Sequence, residues 1–427
     1  MIQNISTNQF ASAPSTASVP AGGGPAADHA AAAPQDAVSL TGAQAAGAPA
    51  PEGEGVPSSA SLAALAVGPI PDFAPLSGII THVLAGELGG EMVNRLRERL
   101  GSSLESRGIG YQGPRGGYGS SGGNMVWIRD YSPTYVRQAD GTTQVVRFLS
   151  PVPERNNYDG ATYIPVRGPS PEHRFFRKPG VTTGGGQWMV SRTVPLDHEL
   201  GNQIATGRHV FVSERLIQDN AQPGTHQMQQ AGYRSRTAEE TTHELASAYG
   251  MADDQVVVLP RMPGEATGHV DLYMMALSPD RIMIPEVRQE ALDVLGTDQE
   301  KQLGGQVRSF LDERAEQIRG LGYQVDRLPM MAPVNVVALP SGDLHGDFYS
   351  PANSLLQNTE QGQAVMVPTF NPQGYSEPYQ QTNQRYTEEW KSFFQGAGWE
   401  PQAVDATELG KGHGLFRCIT QPVPQVD

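Results

Sequence analysis

Short apolar runs alternate with helical periods along the chain from about residue 124 onward. Runs of β-branched and aromatic residues are typical of strands, and apolar positions three and four apart are typical of helices. The predicted strands are MVWIRDY (125–131), TQVVRFL (143–149), HVFVSE (209–214), VVVLP (256–260), VDLYMMAL (270–277), RIMIP (281–285), VNVVALP (334–340) and AVMVPTF (364–370). The predicted helices span 239–249, 298–320 and 387–397. This order predicts a mixed α/β domain, in which the strand-strand-helix-strand rhythm could form a structural repeat.

The chain before residue 124 has a different character. Residues 1–70 are mostly Ala, Pro, Ser, Gly and Gln, so they lack the apolar surface that offsets chain entropy and are predicted to be a disordered tail. Within the next segment, 71–123, apolar residues at helical spacing over 74–107 predict a helix pair, and a glycine-rich loop follows at 108–123. The main folded domain is therefore predicted to span 124–427.

Charge and cysteine content exclude several classes of protein. The formal net charge is −15, which argues against nucleic acid or an anionic membrane as the partner. No Lys or Arg precedes Arg95, which excludes mitochondrial targeting, and neither a cationic leader nor a long apolar run indicates Sec export or membrane insertion. Because Cys418 is the single cysteine, the chain forms neither an intrachain disulfide nor a cysteine-based zinc site.

The first segment with candidate chemistry is WIRDYSP at 127–133. A predicted strand stops at Asp130, and the following Ser-Pro step favours a turn, so the carboxylate could project from the strand end into a cleft. Asp130 can equally cap the turn or pair with Arg129.

The second segment is EATGHVD at 265–271. Residues two apart on a strand face the same side, so His269 and Asp271 would present an imidazole beside a carboxylate. The pair suits acid/base chemistry, but it can also be a buried hydrogen-bonded couple or two ligands of a metal.

The third segment is GKGHGLFRCIT at 410–420, where glycines precede a short predicted strand that carries the only thiol. A lone cysteine is usually a small buried hydrophobic residue. The neighbouring Arg417 and Thr420 suggest a more polar setting, which could lower the pKa of the thiol and favour the nucleophilic thiolate.

One thiol, one imidazole and two carboxylates together suit a guanidinium substrate. Two carboxylates can grip this flat cation in fork geometry and hold its central carbon over a thiolate. Cys418 would attack this carbon, His269 would protonate the departing ammonia and later activate water, and Asp130 and Asp271 would grip the substrate.

The order and wording of these segments resemble the agmatine deiminase and bacterial peptidylarginine deiminase family of guanidino-group-modifying enzymes. WIRDYSP resembles the family's W-x-R-D-x-G-P stretch, EATGHVD its D-E-T-x-G-H-x-D stretch, and GLFRCIT its G-G-I-H-C-I-T ending. Two further segments between them resemble family motifs, SERLIQDNAQ at 213–222 and the stretch from 349 to 370. All five occur in order across 124–427.

The resemblance implies an α/β fold, a five-bladed propeller of ββαβ units of the pentein kind, with the site at its axis. It places the nucleophile at Cys418, the acid/base at His269 and the substrate carboxylates at Asp130 and Asp271. The substrate-binding residues that it implies are Trp127, Arg129, Glu265, Asn353 and Arg417. The family needs no metal or other cofactor for this chemistry.

Three departures from the family bear on the substrate. Arg417 stands where many members have His, and a cation lining the pocket would disfavour agmatine, which carries a second positive charge. The segment TTGGGQW at 182–188 lacks the glutamate usual before the paired glycines. The family's tryptophan-rich N-terminal segment is not apparent, and residues 1–120 look unrelated.

The start of the chain, MIQNISTNQFASAPSTAS, resembles the leaders of bacterial type III effectors, which are recognised by composition and disorder. A solvated tail of a cytoplasmic enzyme has the same composition. We therefore expect a deiminase acting on peptidyl arginine, in a host target protein if the chain is exported, with agmatine deiminase as the alternative. An amidinotransferase, an inactive secreted binding protein and a metallohydrolase are further alternatives.

Overall fold

The described part of the chain is a mixed α/β structure. The structure is a computed structural model that describes residues 67–81, 127–149, 190–359, 362–371, 374–411 and 414–424. The predicted tail up to residue 66, the helix pair beyond residue 81, the glycine-rich loop at 108–123 and the segment 182–188 lie outside these residues.

Seventeen strands and eight α-helices occur among the described residues. The strands are β1 (Gly68–Pro69), β2 (Leu76–Thr81), β3 (Thr134–Arg137), β4 (Thr143–Leu149), β5 (Val190–Asp197), β6 (Ile204–Ala205), β7 (Val210–Ser213), β8 (Val256–Leu259), β9 (Met275–Ser278), β10 (Arg281–Val287), β11 (Gln324–Met330), β12 (Val334–Ala338), β13 (Leu344–Asp347), β14 (Leu355–Thr359), β15 (Gly362–Thr369), β16 (Glu400–Asp405) and β17 (Thr420–Pro424). The helices are α1 (Ile128–Tyr131), α2 (Arg215–Asn220), α3 (His226–Gln230), α4 (Ala238–Tyr249), α5 (Gln289–Asp293), α6 (Asp298–Gly320), α7 (Glu377–Gly396) and α8 (Thr407–Lys411).

One strand pattern recurs in four sheets. An antiparallel pair is followed by a third strand that lies parallel to the second, in β3-β4-β5, β6-β7-β8, β9-β10-β11 and β14-β15-β16. Helices connect the parallel strands in the last three sheets, as a parallel crossover requires. The predicted strand-strand-helix-strand rhythm is therefore confirmed as a structural repeat in these three sheets.

Two strands before residue 82 belong to the folded unit. β1 pairs with β3, and β2 pairs antiparallel with β17 near the other end of the described chain. The prediction of a disordered tail is therefore wrong at 68–69, and the predicted helix is wrong at 76–81. The run around Ile79 is rich in β-branched residues, and its backbone bonds to β17 instead of closing helical turns.

Most predicted elements within the domain are confirmed. β4 and α6 have the predicted bounds, and α6 begins with a capping box between Thr297 and Glu300. α7 begins ten residues before the predicted start at 387, because the Ser376 side chain accepts a hydrogen bond from the backbone N–H of Tyr379 and initiates a polar first turn. The first half of α7 buries Tyr379, Thr382, Asn383 and Tyr386, which carry polar atoms, whereas the second half buries Trp390 and Phe394, so only the second half shows a clear apolar pattern.

Among the described residues, no helix combines the length and the apolar character needed to cross a membrane.

Candidate active site

The single thiol lies in a turn immediately before β17. The predicted strand over this segment is wrong, because the backbone N–H groups of Arg417 and Cys418 donate to Oδ1 of Asn353, at 3.0 and 3.3 Å, instead of to a neighbouring strand. Nδ2 of Asn353 lies 3.2 Å from Sγ of Cys418 and also donates to the carbonyl of Asp271. Asn353 thus fixes the turn that carries the thiol.

Asp271 presents a fully buried carboxylate to this thiol. Its Oδ2 lies 3.7 Å from Sγ of Cys418 and accepts a hydrogen bond from Nη1 of Arg417 at 2.8 Å. Its Oδ1 is also buried, and it forms no hydrogen bond with any residue that the structure describes. One oxygen of the carboxylate beside the thiol therefore remains available to a donor.

His269 precedes a 3-10 turn at Val270–Leu272, so the predicted strand across His269 and Asp271 is wrong. The carboxylate of Glu265 accepts hydrogen bonds from the backbone N–H groups of Thr267 and Gly268, which closes a tight loop ahead of His269. Local side-chain bonds of this kind compete with sheet pairing. The carboxylate of Glu265 is therefore engaged by the loop in this structure, and substrate binding by Glu265 stays a prediction.

Both ring nitrogens of His269 face carboxylates. Nε2 lies 2.9 Å from Oε2 of Glu199, and Nδ1 lies 3.8 Å from Oδ1 of Asp130. Burial lowers the pKa of His269, but the charge of Asp130 and the hydrogen bond to Glu199 outweigh burial, so its pKa is raised above the ordinary value. The arrangement favours the imidazolium form, which can donate a proton.

Asp130 lies on α1 and not at a strand end, so this prediction also needs correction. The N–H of Asp130 donates to the carbonyl of Trp127, and the N–H of Arg129 donates to the carbonyl of Cys418 at 3.0 Å, which closes a turn against the thiol loop. Trp127 packs closely against the backbone of Gly414, where a Cβ atom would clash with its ring. The carboxylate of Asp130 thereby lies beside the imidazole, and its charge also acts on the thiol.

The thiol is protonated in this environment. Burial, followed by the negative charges of Asp271 and Asp130, raises the pKa of Cys418 well above the ordinary value. The sequence-based expectation of a lowered pKa is wrong for the unliganded site, because Arg417 faces Asp271 and not the sulfur.

Arg417 and Arg129 are almost fully buried. Arg417 donates to Asp271, to Asp72 and to the carbonyl of Gln203, whereas Arg129 donates to Asp72 and to the carbonyl of Arg417. These bonds engage both guanidinium groups with protein partners, except for Nη2 of Arg129, which is buried without a hydrogen-bond partner among the described residues. Substrate binding by the two arginines stays a prediction.

Three residues that the sequence did not reveal complete the site: Glu199, Gly201 and Arg215. Nη1 of Arg215 lies 2.9 Å from Oε2 of Glu199 and 3.0 Å from Nε2 of His269. Gly201 lies against His269 and Asp130 so closely that a Cβ atom would come within 2.7 Å of both side chains. Glu199 precedes Gly201 in a Glu-Leu-Gly-Asn segment that follows β5.

A metal site built from His269, Asp271 and other carboxylates was an alternative in the sequence analysis. Asp130, Glu199 and His269 offer three ligand atoms within 4.8 Å of one another. The Arg215 guanidinium, however, lies against both Glu199 and His269 and would repel a dication. The cluster therefore fits a metal poorly.

The fold is similar to that of solved deiminases. C. jejuni agmatine deiminase, solved with substrate bound as a cysteine-to-serine variant, superimposes with a TM-score of 0.52 at 11% identity, covering 84% of this chain and 97% of that chain. Agmatine deiminase of Enterococcus faecalis gives a TM-score of 0.51 at 14% identity, covering 84% and 96%. A Porphyromonas gingivalis protein, provisionally assigned as an arginine deiminase, gives 0.52 at 16% identity, covering 84% and 98%.

No family model matches the chain, and no curated protein sequence is similar to it. The chain has the fold of agmatine and arginine deiminases, and the resemblance seen in its sequence motifs is confirmed at the level of that fold.

Proposed function

We propose that this chain is a cysteine-dependent deiminase, which hydrolyses a guanidino group to a ureido group and ammonia. The observation that carries the proposal is the buried Oδ1 of Asp271, which lacks a hydrogen-bond partner among the described residues and belongs to the carboxylate beside the Cys418 thiol. Buried polar atoms are rarely left without a partner. A guanidinium N–H satisfies this oxygen and brings the central carbon close to the sulfur.

Substrate binding also changes the protonation of the site. Asp271 and Asp130 raise the pKa of Cys418 in the unliganded protein, and a guanidinium cation placed between them offsets both charges. The pKa of the thiol then falls, its proton passes to solvent water, and the thiolate forms where the electrophilic carbon lies. The substrate itself thereby activates its nucleophile.

In the first half of the reaction, the thiolate of Cys418 attacks the guanidinium carbon and forms a C–S bond. The imidazolium of His269 donates its proton to the departing nitrogen, the C–N bond breaks, and ammonia leaves. The product of this half is a covalent thiouronium, and His269 is neutral. Asp130 and Asp271 hold the remaining cationic nitrogens.

In the second half, neutral His269 accepts a proton from water, and the resulting hydroxide attacks the same carbon. The C–S bond then breaks and returns the thiolate of Cys418, the proton of the new hydroxyl group passes to solvent water, and the ureido group is the product. Glu199 stabilises the imidazolium each time it forms, because its carboxylate lies 2.9 Å from Nε2.

We propose peptidyl arginine as the substrate. Arg215 retains 26% of its side-chain exposure while touching His269, so its positive charge lies beside the site, although Glu199 and Asp219 both pair with it and weaken its effect at longer range. This charge disfavours agmatine, which carries a second cation, relative to an arginine side chain flanked by neutral amides. The sequence analysis expected the cation of Arg417 to disfavour agmatine, and we now assign that effect to Arg215.

The repeated sheets support a further part of the proposal. Four sheets share one strand order, and β2 with β17 supplies part of a fifth. We propose that these five units are the blades of an α/β propeller, with the turns of His269, Asn353 and Cys418 at its axis.

The deciding experiment measures ammonia and ureido release from arginine peptides, free arginine and agmatine. The unmutated protein is compared with Cys418→Ala, and Asp326→Asn serves as a control because it removes an ion pair with Arg281 outside the site. Cysteine-dependent release from peptides supports the proposal. Release from agmatine alone makes the chain an agmatine deiminase, and amidino transfer to an added amine makes it a transferase.

An inactive binding protein and a metallohydrolase give other results. The binding protein shows no release from any substrate on the panel. The metallohydrolase loses activity to chelators and keeps it after alkylation of the single thiol.

Export of the chain is a separate proposal, which rests on the composition of residues 1–66 alone. A translocation reporter fused after residue 70 tests it. Secretion that depends on a type III apparatus supports the effector role, and retention in the cell with active enzyme contradicts it.

A further inference from the structure

Asp72 joins the segment before β2 to two buried arginines. Its Oδ2 accepts a hydrogen bond from Nε of Arg417 at 2.5 Å, and its Oδ1 accepts one from Nη1 of Arg129 at 3.1 Å. Burial opposes ionisation of Asp72, but Arg129 and Arg417 outweigh it and lower the pKa of the carboxyl to about 2. Asp72 is therefore a permanent anion that uses both oxygens.

Each arginine is attached to the reaction centre by further bonds. Arg417 directly precedes the nucleophile Cys418, and its Nη1 donates to Oδ2 of Asp271 at 2.8 Å. Arg129 directly precedes Asp130, its backbone N–H donates to the carbonyl of Cys418, and its Nε donates to the carbonyl of Arg417 at 3.3 Å. A shift of either guanidinium would displace groups that contact the substrate.

The charges of this cluster balance only when Asp72 is included. Two guanidinium groups face Asp72 and Asp271, and among the described residues Asp72 is the only carboxylate that forms an ion pair with Arg129. Without Asp72, Asp271 would be the only counter-ion of Arg417. Arg417 would then neutralise more of the negative charge of Asp271. The carboxylate that grips the substrate would then attract a cation less strongly.

We propose that Asp72 is a positioning residue, which holds Arg129 and Arg417 and thereby sets the place of the Cys418 loop and the charge of Asp271. The inference rests on the proposed deiminase function for its kinetic consequence. Its structural content, the coupling of Asp72 to the thiol through Arg417, stands independently of the substrate.

The first test is a double-mutant cycle on turnover with the substrate identified in the panel. Asp72→Asn is expected to lower kcat/KM by about 10- to 100-fold, with a rise in KM because Asp271 holds less charge. In an Arg417→Gln background the same change is expected to cost clearly less, about tenfold at most, because Asp72 then acts only through its contact with Arg129. Equal losses in both backgrounds would overturn the proposal.

The second test needs no substrate, because it measures iodoacetamide alkylation of the single thiol at neutral pH. Asp72→Asn is expected to speed alkylation about threefold or more, since Arg417 then offsets more of the Asp271 charge that keeps Cys418 protonated. No acceleration is expected in the Arg417→Gln background. Asp326→Asn is the matched control and leaves alkylation unchanged.

The two tests separate the two proposals. A protein without guanidino turnover, in which Asp72→Asn still speeds alkylation only when Arg417 is present, refutes the deiminase function and supports the coupling. Normal turnover with alkylation rates indifferent to Asp72 refutes the coupling and leaves the deiminase function standing. Urea unfolding of each variant shows whether a substitution destabilises the fold. For a destabilised variant, the double-mutant cycle compares the alkylation rates of the folded protein alone.

Discussion

Oε2 of Glu199 lies 2.9 Å from Nε2 of His269, although the two residues are 70 positions apart in the chain. The opposite nitrogen of the ring faces Asp130, so two carboxylates flank one imidazole. A buried imidazole would ordinarily be neutral, because burial disfavours the charged form. The flanking charges reverse that preference and favour the imidazolium form of His269, which suits the proton-donor role that we propose for it.

Removing the charge of Glu199 is expected to lower the pKa of His269. In Glu199→Gln the neighbouring Arg215 cation remains, so the imidazolium loses an attractive partner and keeps a repulsive one. We expect the NMR titration midpoint of the His269 ring to move to lower pH, and kcat to fall by about 10- to 100-fold. The His269→Asn spectrum assigns the signal, and an unchanged or higher midpoint contradicts the prediction. Glu389→Gln, which removes an ion pair with Arg288 elsewhere, is the control.

Replacing Asp271 by Asn is expected to change turnover and thiol reactivity in opposite directions. The carboxylate raises the pKa of Cys418, so its loss lowers that pKa and leaves Arg417 as a nearby cation with one counter-ion fewer. Iodoacetamide alkylation at neutral pH should accelerate, while guanidino hydrolysis should fall by at least about 100-fold because a substrate grip is lost. Slower alkylation in Asp271→Asn would show that the carboxylate does not suppress the thiolate.

Gly201→Ala tests the packing between the imidazole and Asp130. The added Cβ would lie 2.5 Å from Nδ1 of His269 and 2.7 Å from Oδ1 of Asp130, so one of them must move. We expect kcat to fall by about 100-fold while the protein remains folded, because displacements of about 1 Å have such effects. Gly305→Ala on α6 is the control, since its Cβ meets no atom within 4 Å and it should stabilise the helix by roughly 0.5–1 kcal/mol. Full activity of Gly201→Ala would contradict the proposed geometry.

His198 is expected to make the fold sensitive to acid. Burial lowers the pKa of His198 to about 4, while its unfolded value is near 6.5, and its Nδ1 has no partner among the described residues. Between these values the unfolded chain binds the extra proton, so stability falls as pH decreases from about 6.5 to 4, by up to roughly 3 kcal/mol. His198→Gln should remove this component from urea unfolding measured across that range. The exposed His243→Gln should retain it, and equal pH dependence of both variants would refute the assignment.

The sequence predicted the elements whose signals are local. The periodic apolar positions over 298–320 were sufficient to define α6, and the β-branched run at 143–149 was sufficient to define β4. The motifs also identified Asp130, His269, Asp271 and Cys418, which the structure brings together. Local patterns fail around His269, where the Glu265 carboxylate bonds to the backbone and turns an apparent strand into a loop.

The partners of the catalytic groups could not be predicted because they depend on long-range contacts. Glu199 follows β5 in a segment with no distinctive composition, and only the fold brings it to His269. Arg417 looked like a group that could face the substrate, but its partners come from Asp72, Gln203 and Asp271 in three distant segments. The sequence identifies the charged side chains, but the ion pairs that they form depend on the tertiary structure.

Asp72 and Arg417 are 345 residues apart, and β2 pairs with β17 beside them. A nascent chain cannot complete these contacts until residue 424 has been synthesised. During most of translation, β2 and Asp72 therefore lack the partners that position the turn carrying Cys418. The closure of an early segment onto a late one is also a contact of high sequence separation, which slows folding. Enzymatic competence should therefore appear only once β17 has left the ribosome, and not progressively during elongation.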